Sequence, residues 1–89
     1  MKRIEFSRKF KKLYVKRVRP NAKIKKAYEE HYLLFAAGER GYPLNDHALT
    51  GTLAGKRAFS VANDVRVIYK ETEEVIIFLD VGSHNQVYR

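Results

Sequence analysis

The run Val75-Ile76-Ile77-Phe78-Leu79 carries no polar residue at either parity of a strand. Side chains alternate across a strand, so a run apolar at every position belongs inside a sheet with both faces covered. Two more strand-like segments precede it. Arg57–Val61 and Val65–Lys70 are separated by Ala62-Asn63-Asp64, a hairpin-compatible turn, and Glu71–Glu74 makes the next one.

The front of the chain reads differently. Lys2–Phe6 predicts a brief strand with Ile4 and Phe6 turned inward. Ser7 is placed to cap a helix over Arg8–Arg17, with Phe10, Leu13 and Tyr14 on one face. Pro20 and Asn21 open a second helix that runs to about Ala37 and stops at Gly38. Ile24, Tyr28, His31 and Phe35 form its inner stripe, and His31, set among aromatics, is assigned to packing. Gly38–Gly55 reads as loop. The expected order is β-α-α-β-β-β over residues 1–89: one α+β domain, its helical hairpin packed on one face of a mostly antiparallel four-stranded sheet.

Charge narrows the partners. Residues 1–26 hold twelve Lys/Arg against one acid, whereas the remainder holds six against nine. Such a block points to an anionic partner. Lys23, Lys25 and Lys26 crowd the N-terminal end of the second helix, opposite to what the helix dipole favours, and Arg8, Lys12 and Lys16 repel one another at i, i+4 spacing. Stability did not select that arrangement. Cysteine is absent, so no disulfide framework or thiolate metal site exists, and this fits a reducing compartment. No apolar run reaches membrane-span length, and the basic N-terminus lacks a following apolar leader segment; no membrane association and a cytoplasmic location are expected.

Candidate chemistry concentrates between residues 46 and 88. His47, His84, Asp64, Arg57 and Arg66 supply proton-transfer groups and cations suited to a phosphodiester. Arg66 lies inside an apolar strand, so it either pairs with an acid such as Asp64 or Asp80 or faces a cleft that receives an anion. His47, Asp64 and His84 lack any metal-binding spacing, and no metal or other cofactor is expected.

These segments, Asp46-His47-Ala48-Leu49-Thr50-Gly51 with Lys56-Arg57, Asp64 with Arg66-Val67-Ile68-Tyr69, and Gly82-Ser83-His84-Asn85-Gln86-Val87-Tyr88, resemble the RelE/ParE superfamily of toxins, most closely its YafQ-like branch. The resemblance implies the toxin of a type II toxin–antitoxin pair, a metal-independent endoribonuclease that cuts mRNA in the ribosomal A site. In it the 2′-hydroxyl attacks the adjacent phosphodiester. His47, Asp64, His84 and Tyr88 match the catalytic positions, with His84 the leading general acid and the base left between His47 and Asp64. Arg57 and Arg66 match phosphate-contacting positions, with Lys56 beside them and Lys12, Lys16 and Lys23 facing ribosomal RNA. The implied partners are an acidic antitoxin, mRNA and ribosomal RNA, with a free monomer that forms a hetero-oligomer with antitoxin. Two positions depart from the branch: Ser60 stands where relatives carry a histidine, and Val65 where they carry a tryptophan. A ParE-type inhibitor of DNA gyrase and a catalytically weak ribosome- or RNA-binding module are the alternatives.

Overall fold

The computed structural model describes residues 2–88. Ser7 caps α1 (Arg8–Arg17), its Oγ accepting from the Phe10 N–H at 3.0 Å. Asn21 caps α2 (Ala22–Ala36) in the same way, its Oδ1 accepting from the Ile24 N–H at 3.1 Å. Past the end of α2, Gly38 takes a φ of 99°, a left-handed turn that ends helices cheaply only when the residue has no Cβ.

The strands are β1 (Arg3–Phe6), β2 (His47–Ala48), β3 (Arg57–Ser60), β4 (Val65–Glu71) and β5 (Val75–Ser83). They form a sheet in the order β1-β5-β4-β3-β2, with β1 parallel to β5 and the other pairs antiparallel. A parallel pair needs a crossover connection, and the α1–α2 hairpin begins one here. Among the described residues the sheet thus has five strands where the sequence predicts four. The extra one is β2, which pairs His47 with Ala58 and Ala48 with Arg57. Two residues carry no periodicity, so the segment reads as loop until its partner is known. A short helix, α3 (His84–Val87), is also added after β5.

The core lies between the helical hairpin and one face of the sheet. Phe10, Tyr28 and Phe35 from the helices meet Phe59, Val67, Tyr69, Ile76, Phe78 and Val81 from the strands. Phe78 sits at the hub, its ring centroid 5.4 Å from Phe6 and Phe10 and 5.6 Å from Phe35 and Phe59. Edge-on pairs like these contribute about 0.5–1.5 kcal/mol each beyond area burial.

The expectation that both faces of β5 are covered needs correction. Ile76 and Phe78 are buried against the helices, but Ile77 and Leu79 are only half-buried on the opposite face. There a small second cluster of Ala58, Ile68 and Val87 covers part of the sheet, with Leu49 and Tyr88 against it. The pairing passes from Ile68–Asp80 to Tyr69–Phe78, which leaves Leu79 as an extra residue, a β-bulge. The face left open by the helices is where the candidate site forms.

Candidate functional site

Strand alternation decides which side chains share the open face. Cross-strand partners project to the same side, so the pairs His47–Ala58, Ala58–Ile68 and Ser60–Arg66 place His47, Ser60 and Arg66 together on it. At the end of β5 the chain turns into α3, which lays Val87 and Tyr88 against Ala58 and Ile68.

A capping box fixes that turn. The Ser83 Oγ accepts from the Gln86 N–H at 3.3 Å, and the Gln86 Oε1 accepts from the Ser83 N–H at 2.8 Å. Gly82 makes room for it: a Cβ there would lie 2.6 Å from Gln86 Oε1 and 2.7 Å from Arg17 Nη1. That arginine in turn donates to the Val81 carbonyl at 3.0 Å. Gly82 and Gln86 belong to the motif quoted from the sequence but carry no role there, although Ser83-x-x-Gln86 is a capping-box pattern visible in the chain, and Arg17 is not in the motif.

Asp64 ties the hairpin turn to α3. The His84 N–H donates to the Asp64 carbonyl at 3.1 Å and more weakly to its Oδ1 at 3.4 Å. Asp64 Oδ1 also lies 3.5 Å from Arg66 Nη1. Of the two acids considered for Arg66, Asp64 is the one within ion-pair distance. Asp80 instead faces Lys9 at 3.5 Å and Arg17 at 3.6 Å. The Arg66 guanidinium carbon sits 5.8 Å from the centre of the Tyr88 ring, and that ring meets the His84 imidazole at 4.6 Å. Asp64, Arg66, His84 and Tyr88 are therefore one connected group, with His47 on the same face two strands away.

Two polar atoms in this group are buried without a hydrogen-bond partner: Arg66 Nη1, whose 3.5 Å contact with Asp64 is an ion pair only, and the Tyr88 hydroxyl. An unmet buried donor costs about 1–3 kcal/mol, so stability does not account for either of them. Burial raises the Tyr88 phenol above its ordinary range, and the Arg66 charge offsets only part of this. The phenol stays protonated at neutral pH. It can donate a hydrogen bond there.

Arg57 does not join the cleft. It pairs with Tyr69 across β3–β4 and so projects to the helix-covered face. Its Nε and Nη2 both lie 2.7 Å from Oδ1 of Asp46, a carboxylate with no solvent exposure, while the Tyr69 hydroxyl donates to Oδ2. The guanidinium expected to hold phosphate is committed to a structural pair that anchors the residue before β2. Lys56 does lie on the open face, lining a groove of about 470 Å³ with Ile68, Val87 and Lys70. Lys16 borders a different hollow beside Ser83 and Gln86, whereas Lys12 and Lys23 stand exposed on the helices, outside the group. Among the described residues no three His, Asp or Glu side chains gather as a metal site.

Comparison with known proteins gives the family. No curated protein sequence matches the chain. Among solved structures it is similar to YafQ from Escherichia coli BL21(DE3), at 24% identity over 100% of both chains with a TM-score of 0.78. It is also similar to a copper-bound mutant toxin from Helicobacter pylori, at 26% identity over 98% of this chain and 99% of that one, TM-score 0.81. A third likeness is to the E. coli DinJ–YafQ complex, at 27% identity over 100% of both chains, TM-score 0.72. The family model described as "Bacterial toxin of type II toxin-antitoxin system, YafQ" matches residues 2–89. With that match spanning the helices, the sheet and the Asp64–Tyr88 group alike, the chain belongs to the YafQ family of bacterial type II toxin–antitoxin toxins.

Proposed function

We propose that this toxin is a ribosome-dependent mRNA endonuclease whose open sheet face holds the scissile phosphodiester. The observation that carries the reading is the pair of unmet buried donors, Arg66 Nη1 and the Tyr88 hydroxyl, beside the His84 imidazole. A phosphate whose charge grows in the transition state supplies the acceptors those donors lack.

In the proposed reaction the 2′-oxygen attacks phosphorus, the bond to the 5′-oxygen breaks, and a 2′,3′-cyclic phosphate forms with a free 5′-hydroxyl. One proton leaves the 2′-hydroxyl and one reaches the departing oxygen. His84, exposed at the start of α3, is the general acid. Asp64 is engaged at His84 and Arg66, so its role here is to position both of them. That leaves His47 as the base, its Nδ1 3.0 Å from the Asn45 carbonyl, which turns Nε2 outward as the free acceptor. Arg66 and Tyr88 stabilise the developing negative charge. The cationic helices, Lys12, Lys16 and Lys23 among their exposed side chains, dock ribosomal RNA, and Lys56 lies along the RNA path.

E. coli YafQ has been solved with DinJ as a toxin–antitoxin complex. By that likeness this chain takes a cognate antitoxin, and its net charge of +8 calls for an acidic one. Expression without antitoxin is expected to arrest translation and to leave mRNA cut at discrete positions, mapped by primer extension in cells. Arrest with intact mRNA, or inhibition of gyrase supercoiling instead, overturns the reading.

A further inference from the structure

A second pocket, of about 310 Å³, is lined in part by His31, Tyr42, Pro43, Asn45, Ser60 and Asn63. Two of these residues adjoin the open-face group. Ser60 pairs in register with Arg66, and the Asn45 carbonyl holds His47. His31, assigned to packing from its place on the α2 stripe, proves to be a wall of this pocket, and its Nδ1 is buried without a partner. Tyr42 stands at the rim with 89% of its surface exposed.

The lining holds no Lys, Arg, Asp or Glu. An anion has no counter-charge there, so the pocket does not suit a phosphate. It suits a planar, uncharged group with donors and acceptors on its edge and an aromatic face. A nucleobase splayed from a single strand has that character, and proteins that read single-stranded RNA stack such bases on aromatic rings and bond their edges. The volume lies within the ~300–1,000 Å³ of small-molecule sites.

We infer that this pocket is a nucleobase subsite, in which Tyr42 stacks on a base next to the cleaved bond while His31, Asn45 and Asn63 read its edge. The inference rests on the proposed endonuclease reading for the location of the phosphate at Arg66. It adds a base-reading function to residues that the acid–base group does not use. The departure at Ser60 fits the same picture, because a small hydroxyl side chain keeps the pocket open where an imidazole would fill it.

The test is a titration of the purified toxin with each 5′-nucleoside monophosphate and with ribose 5-phosphate, followed by NMR. Nucleotides should shift the His31 ring and the Asn45 and Asn63 signals, ribose 5-phosphate should not, and Tyr42→Ala should weaken binding about tenfold. No shift up to about 10 mM, a weaker binding than any useful subsite, overturns the inference, as do equal shifts with ribose 5-phosphate or no effect of Tyr42→Ala. On programmed ribosomes, Tyr42→Ala and His31→Leu should each change the base distribution beside the cut. Wild-type cutting with an unchanged distribution in both variants overturns the subsite alone. Base binding by a toxin that cuts no mRNA overturns the endonuclease reading alone.

Discussion

The ring of Tyr88 meets the His84 imidazole edge-on, with centroids 4.6 Å apart and planes at 68°. The two residues are one helical turn apart, and the Tyr88 N–H donates to the His84 carbonyl at 2.9 Å, so α3 itself sets the contact. Tyr88 therefore has two separable parts: a ring that supports the imidazole and a buried hydroxyl without a hydrogen-bond partner. Tyr88→Phe keeps the first and removes the second. Single-turnover cleavage is expected to fall about 10–100-fold with the melting temperature nearly unchanged. A Phe variant as fast as wild type limits the residue to packing.

Arg66 separates function from stability in the opposite sense. Its side chain is three-quarters buried and its Nη1 lacks a hydrogen bond, so the folded toxin gains little from it. Arg66→Met is expected to change stability by under about 1 kcal/mol, or to raise it, while cleavage drops about 10²–10³-fold. Chemical denaturation alongside a cleavage assay checks both. A large loss of stability with normal turnover of the folded fraction assigns Arg66 to structure instead.

The capping box at α3 links a local structural detail to the site. Ser83→Ala removes one of its two bonds, worth about 1 kcal/mol to the helix. Global stability should hardly register a four-residue helix, yet His84 and Tyr88 both ride on it. Amide exchange at Val87 and Tyr88 should accelerate and cleavage should fall severalfold. Gly82→Ala, which crowds Gln86 and Arg17, is expected to act in the same direction. Unchanged exchange in both variants removes the capping box from the account.

Asp46, Arg57 and Tyr69 form the structural counterpart. Asp46→Ala strands the buried Tyr69 hydroxyl and is expected to cost about 2–4 kcal/mol in urea unfolding, with turnover per folded molecule retained. The same group gives a pH dependence. Burial first and the Asp46 hydrogen bond second raise the folded Tyr69 phenol above its ordinary value, and burial followed by the neighbouring Tyr32 and Tyr14 does the same to Tyr28. The unfolded chain releases these protons near pH ~10 and the folded one holds them. Their contribution to stability is thus complete below about pH 10 and declines above it, by up to ~1.4 kcal/mol per pH unit for each group. Tyr28→Phe should flatten that alkaline decline in urea midpoints measured between pH 8 and 11, and an equally steep decline in the variant contradicts the assignment.

Much of this architecture was legible because it depends on local signals. Ser7 and Asn21 each cap the helix that follows them, Gly38 ends α2, and the 75–79 run became an interior strand. The elements that escaped are the short ones. β2 spans two residues and α3 spans four, too few for any periodicity, and each exists because of a distant partner, Ala58 for His47 and Asp64 for His84. The site was legible in composition but not in orientation. Arg57 and Arg66 look alike in the chain, yet one belongs to Asp46 on the covered face and the other lies on the open face. Strand parity could have separated them, since Arg57 shares its side with the core residue Phe59. His31 lies on the inner stripe and is half-buried, but the stripe alone does not show that its ring also lines a pocket.

In the proposed reaction the open face cuts RNA through His84. Single-turnover cleavage of mRNA on programmed ribosomes by purified wild type and His84→Ala tests this, the substitution being at an exposed position that leaves the core intact. The expected result is discrete cutting by the wild type, yielding 2′,3′-cyclic phosphate ends, and a loss of at least about 10²-fold in the variant with ribosome binding retained. Equal cleavage by both proteins, or none by the wild type on any ribosome complex, would contradict it.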